Sequence, residues 1–132
     1  MATTDSVSDF LTRVRNACRA KQRRLDVPAS RLRASLLDLL AREHFISHYK
    51  RMGDEKKPVL RIYLKYDQED KSVIQGLRRV SSPGRRIYVN RDKLPRVMGG
   101  MGTCVVSTSS GILSDKEARE KGLGGEVVCY VW

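Results

Sequence analysis

Cysteine is scarce in this chain. Cys18, Cys104 and Cys129 are odd in number and show no C-x-x-C spacing, which argues against a disulfide framework or a four-cysteine zinc site. Each stands in an apolar context and suits packing as a small hydrophobe; a reducing cytoplasm is the simplest compartment. Histidine is limited to His44 and His48. The intervening Phe45-Ile46 reads as strand and no H-E-x-x-H glutamate accompanies them, so no metal is expected. Between Arg78 and Leu113 the only acid is Asp92, too little for a metal-assisted nuclease centre. There is no G-x-S-x-G context, no P-loop and no full dinucleotide glycine fingerprint. The chain therefore reads as a non-enzyme with no cofactor. No apolar run approaches the roughly 18 residues that span a bilayer, so no membrane partner is expected. Met1 to Phe10 carries Asp5 and Asp9 and no basic residue, unlike a secretory leader. Repeats and low-complexity tracts are absent.

What is abundant is positive charge. The 132 residues carry 26 Lys+Arg against 15 Asp+Glu, a formal net charge of +11. Eight bases and one acid lie between Arg13 and Arg33, a local +7; seven bases and one acid lie between Arg78 and Arg96, a local +6. The remainder is slightly acidic. A solvated face is the ordinary fate of a charge run, but two dense clusters in so short a chain point to a polyanion, above all nucleic acid. A hydrophobic fraction of 40% is that of a folded protein.

Periodicity suggests an α+β architecture of two small units. Val7, Phe10, Leu11, Val14, Ala17 and Cys18 follow helical spacing behind an Asp5 N-cap. Arg13, Asn16 and Arg19 fall off that stripe. Arg24 to Val27 reads as extended. Ser30 should cap a second helix with Leu32, Leu36, Leu39 and Leu40 on one face. Phe45 to Lys50 and Val59 to Tyr66 read as a hairpin on these helices, with Leu60, Ile62 and Leu64 inward. A third, short helical segment is expected around Val73, Ile74 and Leu77. The character changes near Arg78, so the units are drawn as 1–77, a helix/strand unit with a β-hairpin packed on helices, and 78–132, a mainly β unit with one short helix. In the second, Ser82-Pro83-Gly84 marks a turn. Arg86 to Val89, Cys104 to Ser107 and Gly125 to Trp132 read as strands. Ser114 and Glu117 form a capping box for a helix to about Lys121, with Gly122 as C-cap. Trp132 should close the C-terminal core, and Glu126 should order the Gly124-Gly125 turn by accepting backbone N–H bonds.

The most informative stretch follows an apolar strand: Ser107-Thr108-Ser109-Ser110-Gly111. Short hydroxyl side chains each donate and accept, and a glycine-ended loop lets a partner come close. The run Val105-Val106-Ser107-Thr108-Ser109-Ser110-Gly111, the later Gly124-Gly125-Glu126 and the terminal Cys129-Tyr130-Val131-Trp132 resemble bacterial small ribosomal subunit protein eight. So do Arg79-Val80-Ser81-Ser82-Pro83-Gly84-Arg85-Arg86-Ile87-Tyr88, Leu94-Pro95-Arg96-Val97, Leu11-Thr12-Arg13-Val14-Arg15-Asn16 and Pro28-Ala29-Ser30. The order is collinear over nearly the whole chain. Two positions depart from the family pattern. His44 stands where glycine usually ends the second helix, and Ser6 where proline often follows the first Asp.

The resemblance implies a structural constituent of the small ribosomal subunit. It would be a primary binder of the 16S rRNA central domain that helps organise the platform, with possible repression of its own operon's messenger. It implies that Ser107, Thr108 and Ser109 contact irregular RNA, with Gly111 shaping the turn, against the alternative of a strand-end turn with self-capping hydroxyls. Tyr88 would stack on a base or ribose, against the alternative of a packed strand tyrosine. Arg79, Arg85, Arg86 and Lys93 would meet phosphates, and Arg13, Arg15, Asn16, Ser30 and Arg31 would form a second contact, with a merely solvated helix face the alternative for the first three. It further implies neighbouring small-subunit proteins, five and twelve in that series, and a place in the cytoplasm within the small subunit. Glycines 99, 100 and 102 resemble the G-x-x-G of KH domains, but a strand follows them, so a shaping turn is expected. A non-specific RNA chaperone is the competing binding function.

Overall fold

The computed structural model describes residues 5–132, and the expectation that Met1 to Phe10 is unlike a secretory leader falls in part on residues 1–4, outside that range. In chain order the elements are α1 (Ser6–Arg19), β1 (Arg24–Pro28), α2 (Arg31–Arg42), β2 (Ile46–Met52), β3 (Val59–Leu64), β4 (Leu77–Arg79), β5 (Tyr88–Val89), β6 (Thr103–Thr108), β7 (Gly111–Ser114), α3 (Asp115–Lys121) and β8 (Gly125–Val131). Two short 3-10 turns, Arg91–Lys93 and Met98–Gly100, connect β5 to β6. The α+β expectation holds. The chain divides into two compact units: one spans Thr12–Gln75, and the other joins the N-terminal residues through Leu11 to Gly76–Trp132.

Helix α1 starts as its sequence predicts. The Asp5 carboxylate accepts the Ser8 N–H at 3.1 Å, and Val7, Phe10, Leu11, Val14 and Ala17 are buried. Ser30 caps α2, its Oγ accepting the Arg33 N–H at 3.1 Å. Such a cap stabilises a helix by about 1 kcal/mol. Leu36, Leu37, Leu39 and Leu40 form the buried face. Leu32, expected among them, is 38% exposed, and Arg33 takes the inward position at 7%. Its Nη1 donates to the Pro28 carbonyl at 3.1 Å, so this arginine of the first basic cluster is internal. The helix ends with His44 at φ 64. The His44 and Phe45 amides donate to the Ala41 and Leu40 carbonyls, a Schellman end in which histidine does the work of glycine.

The Thr12–Gln75 unit holds an antiparallel sheet in the order β1-β3-β2. The expected hairpin thus has a third strand, because Arg24–Pro28 pairs with β3. Leu60, Ile62 and Leu64 are buried as the alternation requires. No helix forms around Val73, Ile74 and Leu77. Val73 instead donates its amide to the Lys65 carbonyl, and Leu77 opens β4, opposite Val131. Their apolar side chains serve burial without helical backbone, and Gly76 at the end of so short a run weakens helix further.

In the other unit the sheet order is β4-β8-β6-β7, with β5 also on β8. Since β6 occupies one edge of β8, β4 and β5 share the other, at its two ends. One face packs Cys104, Val106 and Val127 with Leu94, Val97, Leu113 and Ala118. The Ser114–Glu117 capping box and the left-handed Gly122 cap form as the sequence predicts. Trp132 packs against this core and also on Gly76. Gly76 exchanges hydrogen bonds with Trp132, N–H to carbonyl at 2.9 and 3.1 Å. A Cβ on Gly76 would lie 2.3 Å from the indole Cζ2.

Two expectations follow. Gly76→Ala should destabilise the protein by about 1–3 kcal/mol in urea unfolding, and Trp132→Leu should recover part of that loss when combined with it. The free thiols of Cys104 and Cys129 are pushed up to about 12, in both cases first by burial. Thiolate is the reactive form, so Ellman's reagent near pH 8 should label these two only at the rate of unfolding.

Candidate nucleic-acid interface

The hydroxyl run is the tip of the β6–β7 hairpin. Ser107 and Thr108 end β6, Ser109 and Ser110 make the turn, and Gly111 opens β7 opposite Thr108 at φ 99. Thr108 is spent on the turn itself. Its Oγ1 donates to the Gly111 carbonyl at 2.9 Å and accepts the Ser110 N–H at 3.1 Å. The Ser109 side chain is exposed and Ser107 half-buried, and neither hydroxyl has a partner among the described residues. The triplet therefore splits into one shaping hydroxyl and two available ones.

Register places Ser107 in a larger row. Ser107 pairs with Ile112 and with Glu126, and Glu126 pairs with Tyr88. Opposed residues share a face of the sheet. The neighbours Val106, Val127 and Val89 point into the core or pack against it, so this row lies on the opposite face. Tyr88 is 69% exposed, so it is not a packed strand tyrosine. Arg86 reaches the row through Glu126, Nη1 to Oε2 at 3.4 Å. Glu126 thus holds a guanidinium, not the backbone amides expected of it. Gly124 and Gly125 keep the strands close: added Cβ atoms would lie 2.4 Å from the Val89 carbonyl and 2.1 Å from that of Ser107.

The loop before Tyr88 is held by a residue that sequence reading passed over. Ser81 is fully buried; its Oγ accepts the Ile87 N–H at 2.9 Å and donates to the Ile87 carbonyl at 3.3 Å. The backbones of Ser81 and Ile87 both bond Val127, Ser81 N–H to its carbonyl and Val127 N–H to that of Ile87. The excursion Ser82–Arg86 therefore leaves and rejoins β8 at one residue. Inside it, Ser82 and Arg85 exchange backbone bonds at 3.0 Å, which projects exposed Arg85 and Arg86. Only the ordinary serine signal of turns could have flagged Ser81, since its role depends on Val127, far along the chain.

The other expected residues fall in separate places. Arg79 is turned inward, Nε 3.2 Å from Asp5 and Nη1 donating to the Val128 carbonyl at 2.8 Å. Burial acts to raise the Asp5 carboxyl, but the Ser8 hydroxyl and amide together with Arg79 outweigh it and hold it below the ordinary aspartate value. Arg79 and Arg85 also border a hollow of about 310 Å³ shared with Arg78. Lys93 is exposed on the first 3-10 turn. In the other unit Arg13 and Asn16 line one hollow of about 500 Å³. Ser30 and Arg31 line another of about 590 Å³ with Tyr49 and Arg51. Arg15 lines neither. His44 and His48 do not converge, because His44 is a helix cap and a bulge in β2 precedes His48.

Two small α+β units built on antiparallel sheets, with exposed arginines and two hydroxyls unpartnered among the described residues, define a small α+β protein with a cationic, hydroxyl-bearing surface. Among the described residues no group of three or more His, Cys, Asp or Glu could hold a metal, and no helix is long and apolar enough to cross a membrane. The chain matches the family model described as ribosomal protein S8 over residues 5–132 and belongs to that family, whose members are ribosomal structural proteins and not enzymes. It is 49% identical over 132 residues to the small ribosomal subunit protein uS8 of Natranaerobius thermophilus, covering the whole of both chains. Its identity to the protein of the same name from Thermodesulfovibrio yellowstonii is 50% over 129 residues, 98% of each chain. That to the Geotalea daltonii protein is 52% over the full length of both.

Ser81→Ala should free the Ser82–Arg86 loop. The part-buried Ile87 amide loses its side-chain acceptor, a cost of about 1 kcal/mol or more. Hydrogen exchange at Ile87 should accelerate by at least about tenfold, while amides of α3 keep their protection relative to global stability.

Proposed function

We propose that this chain is a structural constituent of the small ribosomal subunit and a primary binder of the 16S rRNA central domain that helps organise the platform. The observation that carries the reading is the outward row Ser107–Glu126–Tyr88, with Ser109 at the tip of the adjoining hairpin and Arg86 tied to the row through Glu126. Irregular RNA offers splayed bases and 2′-hydroxyls, and A-form helices hide their major groove. Neutral hydroxyls meet such groups without bulk, an exposed tyrosine offers a stacking face, and guanidiniums meet phosphates. Full-length identity near one half to proteins named for the small subunit supports the placement.

The proposal extends to repression of its own operon's messenger through the same surface, and to small-subunit proteins five and twelve as neighbours in the cytoplasmic particle. Arg13, Arg15, Asn16, Ser30 and Arg31 would add contacts from the other unit. Lys93 would join Arg85 and Arg86 on phosphates. Thr108 and Gly111 act by shaping the hairpin, and Arg79 by anchoring Asp5 as well as bordering the cationic hollow.

Binding to a fragment of the central domain, beside a fully paired RNA of equal length, tests this. Specific binding should exceed the control by about 10³-fold. The double change Ser107→Ala, Ser109→Ala should erase most of that preference with the salt slope unchanged. Arg85→Ala should lower the slope by about one counterion on both RNAs. Equal, salt-labile binding to the two RNAs would overturn the reading and leave a non-specific RNA binder.

A further inference from the structure

The outer face of the β1-β3-β2 sheet gathers a different set of side chains. Pairing sets Arg24 beside Tyr63, and Asp26, Arg61 and Lys50 in the next row. His48 joins them only because β2 is bulged. Ile46 pairs with Leu64 and is buried, Ser47 is the extra residue, and His48 then pairs with Tyr63. A bulge re-aims the side chain that follows it. The two rings stack with centroids 4.3 Å apart and planes 13° from parallel. Ser47 Oγ lies 2.9 Å from His48 Nδ1 and fixes the ring from its own strand. Strand β2 is an edge of the sheet and His48 is exposed, so the stack is open on its histidine side to a further flat ring.

The surrounding charge has one sign. Asp26 is the only acid among the outward residues of the three strands, and Arg61 neutralises it through bonds of 2.9 and 3.1 Å. Lys50 stands 5.8 Å from the Tyr63 ring centre. Arg24 lies on the other side of Tyr63, across the sheet, and Lys65 follows along the chain; both are exposed.

We propose that this face is an RNA contact in its own right, on which an unpaired base stacks against the open side of His48 while Lys50 and Arg24 meet the flanking phosphates. A pre-oriented aromatic surface ringed by cations is the combination that holds single-stranded nucleic acid. Stacking accepts any base, and the cations follow the backbone. The site uses none of the residues of the hydroxyl hairpin and favours flexible RNA over folded RNA.

The test uses the full chain and a uridine heptamer carrying one 2-aminopurine. Binding should quench the 2-aminopurine and move the His48 and Tyr63 ring resonances. His48→Ala should weaken the heptamer by about tenfold, His48→Phe should retain it, and Ser109→Ala should leave it unchanged. Lys50→Glu leaves the bulge intact and should also weaken binding by about tenfold. Heptamer binding unaffected by His48→Ala, in a protein with unchanged circular dichroism, overturns the stacking site even if Lys50→Glu is weaker. Loss of heptamer binding in Ser109→Ala would return the contact to the hairpin.

Discussion

The C-terminal unit depends on strand β8 being hydrogen-bonded along both edges. Strand β6 takes one edge, while β4 and β5 divide the other between them. A strand fixed on two sides cannot slide or twist independently, so side chains in register with it keep their spacing. That is why Ser107, Glu126 and Tyr88 stand in one row although they come from three distant stretches of chain. The glycines at 124 and 125 permit this closeness, and Ser81 with Ile87 closes the gap between β4 and β5. A hydroxyl or a tyrosine on a loose loop would lose rotational freedom on binding. Here that entropy is already lost on folding.

A formal charge of +11 overstates what a polyanion would meet. Several arginines are used inside the protein as planar multi-donors, the role for which guanidinium is suited. Arg33 serves the Pro28 carbonyl, Arg79 serves Asp5 and Val128, and Arg119 holds Asp115 at 2.9 Å and the Leu94 and Pro95 carbonyls. Asp115 in turn accepts the Cys104 N–H at 3.1 Å, which fixes the start of β6. The cations left outside, such as Arg31, Arg78, Arg85, Lys93 and Arg96, are exposed on helix, strand and loop alike.

Features carried by local chemistry were legible in the sequence. The Ser114–Glu117 box, the Asp5 and Ser30 caps, the stripe of α1 and the alternation of β3 all appear where spacing put them. The available hydroxyls were legible too, but not which of the three would be spent on the turn. What escaped depends on distant partners. Leu77 and its neighbours look like a helical fragment until β8 claims them. Gly111 to Ser114 shows no alternation long enough to mark a strand, yet it pairs with β6. Ser81 looks like any turn serine, and Arg79 looks like any surface cation, until Val127, Val128 and Asp5 arrive beside them. No local rule announces that β2 carries one residue more than its partner.

That single surplus residue makes Ser47 a matter of length as well as of chemistry: the bulge decides which way His48 faces, and the Ser47 hydroxyl fixes the ring. Taken into regular alternation instead of a bulge, the same residues would put Ser47 opposite Tyr63 and exchange inside and outside along the rest of β2: His48 and Lys50 would turn toward the helices, while Tyr49 would lose the Asp38 carboxylate to which its hydroxyl donates at 2.6 Å. The two faces of β2 are therefore set by a break in the ladder and not by its side-chain pattern alone.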